Sequence, residues 1–64
     1  MKIENKNQIN DITITTTEET ISYYSTEWEY IQYCKEWVFI KFVETHPEDC
    51  ILYNKDQVIS IEIG

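Results

Sequence analysis

From Asp11 the chain alternates with a period of two. Ile12 and Ile14 fall on one face and Thr13 and Thr15 on the other, which predicts a strand over 11–16. Beyond Thr17-Glu18-Glu19, Ile21 and Tyr23 oppose Ser22 and Tyr24, predicting a second strand over 20–24 and a hairpin between the two. The turn contains neither Gly nor Asn, which disfavours a two-residue primed turn and predicts a longer loop. Residues 1–10 are polar around isolated Ile3 and Ile9, the pattern of an edge strand or a frayed terminus.

The strongest signal is 37–44, Trp-Val-Phe-Ile-Lys-Phe-Val-Glu. Val38, Ile40 and Phe42 line one face and Trp37, Phe39 and Val43 the other, as in a central strand buried on both sides. Thr45-His46-Pro47-Glu48-Asp49 then reads as a turn, 50–54 as a return strand and 55–57 as a one-turn break. A last strand over 58–63 is predicted with Ile59, Ile61 and Ile63 inward, and Ile40 and Ile61 are expected core positions.

Residues 26–34 support two readings. Thr26-x-x-Glu29 has the form of a capping box, and Tyr24, Trp28, Ile31 and Cys34 would make one stripe of a short helix. Glu27-Trp28-Glu29-Tyr30 equally alternates as a strand. The fold class is therefore mainly β, a single domain over 1–64. It is a small antiparallel sheet or an SH3/Sm-like partly open barrel of about five strands, with at most one short helix near 26–34. The run Tyr53-Asn54-Lys55-Asp56-Gln57 followed by Ile59-x-Ile61-x-Ile63 resembles the closing half of small SH3-like and Sm-like barrels. The resemblance covers about 37–63 and implies a short 3₁₀ turn before the final strand.

Composition agrees with the pattern. Ile and Thr are abundant, Arg and Ala are absent, Leu52 is the one leucine and Gly64 the one glycine. The bias toward Ile, Lys, Asn, Tyr and Glu fits an AT-rich genome. A chain of 64 residues holds one small core and no walled substrate cleft. No apolar segment follows the first lysines, and no apolar run approaches the ~18 residues that span a bilayer. A cytoplasmic protein without membrane contact is expected, with Cys34 and Cys50 as two buried thiols.

Catalytic chemistry finds little support. His46 is the sole histidine and lies in a turn expected to be solvated, and a phosphate loop requires glycines that are missing. The cluster His46-x-Glu48-Asp49-Cys50 mixes hard and soft ligands and lacks the spacing of structural zinc. The expectation is no enzyme, no cofactor and no metal. Five scattered lysines against twelve acids, for a net charge of −7, also disfavour direct nucleic-acid binding.

What remains is a stretch dense in acids and aromatics. Glu18, Glu19, Tyr23, Tyr24, Glu27, Trp28, Glu29, Tyr30, Tyr33 and Glu36 form the candidate partner-binding set. Trp and Tyr dominate binding hot spots, and carboxylates steer toward basic surfaces. The two Trp, Trp28 and Trp37, also suit a core. The expected partner is a basic protein surface, such as that of a nucleic-acid-binding protein. Small acidic proteins of phages and mobile elements act this way as anti-defence or anti-CRISPR inhibitors and nucleic-acid mimics. The rival expectations are a self-associating structural subunit, that is a homo-oligomer, and an antitoxin-like neutraliser of a basic toxin.

Overall fold

The computed structural model describes all 64 residues, Met1–Gly64. Seven strands follow in order: β1 (Lys2–Glu4), β2 (Ile12–Thr16), β3 (Thr20–Tyr23), β4 (Trp28–Tyr33), β5 (Trp37–Phe42), β6 (Cys50–Asn54) and β7 (Val58–Ile63). They form a four-stranded sheet, β1-β4-β5-β6, and a three-stranded sheet, β3-β2-β7, antiparallel at every pairing. Two faces meet across one core, as layers of a partly open barrel. Ile12 and Ile14 of the smaller sheet pack with Trp28, Ile31, Val38, Ile40 and Phe42 of the larger one. The mainly β reading thus holds, with seven strands in place of about five.

Residues 26–34 are the first correction. They contain no helix, since 25–27 turn and Trp28–Tyr33 is β4. An extra residue, Glu29, bulges between Trp28 (opposite Phe42) and Tyr30 (opposite Lys41). The bulge breaks strict alternation, so Trp28 and Ile31 both face the core although three positions apart. This is the spacing that imitates a helical stripe.

A second bulge changes the last strand. Thr15 pairs with Ser60 but Thr16 with Val58, leaving Ile59 as the extra residue. Val58 and Ile61 therefore pack on the core, whereas Ile59 stays 66% exposed and Ile63 40%. The expected inward row of Ile59, Ile61 and Ile63 is broken there. Ile61 is half-buried, and Ile40 is fully buried as expected. The 3₁₀ turn implied by the barrel resemblance is present at Lys55–Gln57, where the Asn54 side chain accepts the Asp56 N–H at 3.0 Å.

Strand β5 is interior to its sheet as expected, yet only Val38, Ile40 and Phe42 are buried. No layer covers the outer face, so Trp37 is exposed and Phe39 half-buried. Both cysteines are exposed, contrary to expectation. Cys34 follows the end of β4, and Cys50 opens β6 on the side that alternates away from the core.

The first ten residues are held, not frayed. Asn5 is 5% exposed, and its side-chain amide donates to Ser25 O at 2.8 Å and Trp28 O at 2.9 Å. The Asn5 Oδ1 accepts the Asn10 N–H at 3.1 Å, and Asn10 O accepts from Trp28 Nε1 at 2.7 Å. The hairpin between β2 and β3 closes through Thr16, whose hydroxyl accepts the N–H groups of Glu18 and Glu19 and donates to Glu19 O. A threonine thus supplies the turn chemistry that Gly or Asn would otherwise provide.

Candidate functional site

The structure divides the ten candidate residues. Trp28 is fully buried, so it belongs to the core and is withdrawn as a partner contact. Tyr33 packs half-buried against that core. Glu36 is exposed in the turn before β5, and Glu29 and Tyr30 sit beside the outer face of the large sheet. Glu19, Tyr23, Tyr24 and Glu27 come together with residues from the loop after β5, while Glu18 lines a depression with Glu19 and Tyr53.

At the centre of this end is an aromatic stack. The Phe42 ring lies 4.8 Å from Tyr23 and 4.1 Å from His46, nearly parallel to the latter at 20°. Tyr23 meets His46 edge-on at 6.1 Å. His46 is therefore no solvated loop residue: its side chain is only 10% exposed, with Nε2 3.7 Å from Glu27 Oε1. Its Nδ1 accepts the Glu48 N–H at 3.0 Å, which leaves the neutral ring's proton on Nε2, toward Glu27. Glu27 is pinned in turn, because its Oε2 accepts the Tyr24 N–H at 2.6 Å.

Two tyrosine hydroxyls share this surroundings. Burial first, then the neighbouring Tyr53, Glu48, Glu27 and Glu19, push the Tyr23 hydroxyl up to about 12. Burial also raises Tyr53, reinforced by Glu19 and Glu48 and opposed weakly by Tyr23. The Tyr53 oxygen is closed off from solvent without a formed hydrogen bond, so the Tyr23 side chain helps it without satisfying it. Both rings stay neutral at physiological pH, so the carboxylates carry the charge here.

Two shallow depressions open at this end. One, of about 260 Å³, is lined by Thr26, Glu27, Val43, Thr45, His46 and Pro47. The other, of about 80 Å³, lies among Thr16, Thr17, Glu18, Glu19, Tyr53 and Gln57. Both offer hydroxyl and carboxylate oxygens, which suit ammonium and guanidinium groups. No group of three or more His, Cys, Asp and Glu side chains converges as a metal site would.

Glu48, Tyr53 and His46 were missed by sequence reasoning. The inward position of Tyr53 in β6 was legible from alternation, but the fold-back of the loop after β5 was not. No family model matches this chain, and neither the curated proteins nor the solved structures compared with it yield a match. No helix is long and apolar enough to cross a membrane.

Proposed function

We propose that this chain is a non-enzymatic protein-binding module whose acidic end occupies a basic site on another protein. It belongs to the functional type of small phage or mobile-element inhibitors that stand in for nucleic acid. The observation that carries this reading is the lack of internal compensation. Lys2–Glu4 at 4.0 Å is the only pairing of a carboxylate with a lysine, so eleven of the twelve carboxylates have no lysine partner. Glu19 and Glu48 are exposed around Tyr23 and Tyr53, with exposed Glu18 beside Tyr53, where they would meet lysines and arginines that otherwise hold phosphates. Exposed Tyr24, beside Glu27, adds apolar area with a polar tip.

The test is a pull-down from cell extract at low and high salt, followed by binding kinetics with the captured protein. The reading requires a basic partner whose capture weakens with salt and whose nucleic-acid binding is displaced by this chain. A variant with Glu18, Glu19 and Glu48 all changed to Gln should lose that capture while keeping its fold. If the variant captures the partner as the wild type does, the acidic end is not the binding surface.

A further inference from the structure

The outer face of the four-stranded sheet is unlike the rest of the surface. Alternation along β4, β5 and β6 turns Ile31, Val38, Ile40, Ile51 and Tyr53 toward the core. The residues between them form the opposite face. Register sets Tyr30 beside Lys41 and Cys50 in one row, and Gln32 beside Phe39 and Leu52 in the next. Trp37 follows, opposite Asn54, and β1 adds Lys2 level with Gln32 and Glu4 level with Tyr30. Leu52 is 53% exposed and Trp37 42%, while Tyr30 and Phe39 touch ring to ring at 6.0 Å. A continuous apolar strip thus crosses an uncovered sheet.

Charge decides what covers it. Elsewhere the surface is acidic, but Lys2 and Lys41 lie on this face with Glu4 as the one acid in its rows. Lys2 is accounted for, with its ammonium 4.2 Å from the Tyr30 ring centre and 4.0 Å from Glu4. Lys41 is half-buried and has no carboxylate partner in its own chain. A two-fold axis parallel to the strands, between β4 and β5, lays β5 of one copy over β4 of the other. Lys41 of each copy then stands over the row that holds Tyr30 and, beside it, Glu4. The face is then self-complementary in charge, and Phe39 and Leu52 of each copy cover Gln32 and Lys2 of the other, as an isologous contact requires.

We infer that two copies of this chain associate back to back through the outer face of β1-β4-β5-β6. This inference is independent of the proposed function. The acidic end is built from loops and the smaller sheet together with β6, so a back-to-back pair leaves both acidic ends open. Such a pair would engage two basic sites at once, with an avidity that one copy lacks.

Sedimentation equilibrium of the wild-type chain tests the inference, from about 5 μM to about 1 mM, which brackets micromolar to sub-millimolar dissociation constants. The expected result is a monomer at the low end, a dimer at the high end and no larger species. Leu52→Lys and Trp37→Lys, at exposed positions, should each weaken association by about tenfold or more, the first by setting its ammonium against the partner's Lys2 and the second by burying a new charge in the contact. Their circular dichroism should stay that of the wild type. Maleimide labelling of Cys50 should slow as the dimer forms. A wild-type monomer at every concentration overturns the inference, as does a dimer that persists in both variants. It is equally overturned if a single-stranded oligonucleotide binds the monomer and is lost in both variants, because the strip would then be a stacking platform for bases.

Discussion

The side-chain amide of Asn5 donates to the backbone oxygen of Trp28 at 2.9 Å, and through Asn10 the Trp28 indole returns the bond. Two residues 23 positions apart thereby fix the first segment of chain to the start of β4 and orient the largest buried side chain. Replacing Asn5 with Ala strands the oxygens of Ser25 and Trp28 and the Asn10 N–H. A loss of about 2–3 kcal/mol is expected. Urea denaturation checks it, and an unchanged midpoint would show that water replaces the amide freely.

The bulge at Ile59 separates two isoleucines that sequence pattern treats alike. Ile40→Ala should cost ~2–5 kcal/mol, because Ile40 is fully enclosed. Ile59→Ala should cost less than about 1 kcal/mol, since that side chain is already two-thirds in water. Thermal melts of the pair give the comparison directly. Equal losses would mean that β7 pairs without its bulge.

Alkaline pH should act through Tyr23. Its hydroxyl titrates near 12 in the folded chain, against 10.0 without the fold, so folding retains a proton that the unfolded chain releases first. The stabilisation is intact below pH 10.0 and is lost as pH rises through about 12. Denaturant midpoints across that window should fall in the wild type and fall less in Tyr23→Phe. Tyr53 shifts in the same direction, so the double variant Tyr23→Phe with Tyr53→Phe should flatten the profile further.

For a captured basic partner, Glu18, Glu19 and Glu48 should govern encounter. Changing all three to Gln should slow association and reduce its salt dependence, with little effect on dissociation. Stopped-flow rates at several ionic strengths read both quantities. An unchanged salt slope would move the contact elsewhere on the surface.

Both thiols should react with a small alkylating reagent in the native state of dilute protein, without denaturant. Mass spectrometry after brief exposure should find both modified. If either requires denaturant, the exposure of β6 or of the end of β4 is wrong.

Period-two patterning made most of the fold legible. β6 and β7 match their predicted bounds, and β2, β3 and β5 differ by one or two residues at their ends. The failures share a cause. At Glu29 and Ile59 one inserted residue shifts the phase, and local alternation carries no sign of it because a bulge is defined by the opposite strand. Asn5 escaped for a similar reason, since its partners lie 20 and 23 positions away. Of the candidate site, the part contributed by 18–27 was visible as charge beside tyrosine. Glu48, Tyr53 and His46 join it only through tertiary contact. Trp28 went the other way, into the core, where its large apolar area is buried and its indole N–H is satisfied by Asn10 O.

The pairing of β2 with β7 joins Ile12 to Ile63, and Asp11 exchanges both backbone hydrogen bonds with Gly64 at 2.9 and 3.0 Å. The smaller sheet is thus completed only by β7, which lies beyond β3, β4, β5 and β6 along the chain. Until β7 is in place, β2 is paired with β3 alone and its isoleucines lack one of their two flanking strands. Closing so long a loop makes folding a late and slow event for so short a chain. A chain caught before that closure presents an open hairpin to chaperones and proteases, and disrupting the β2–β7 pairing would hold it there.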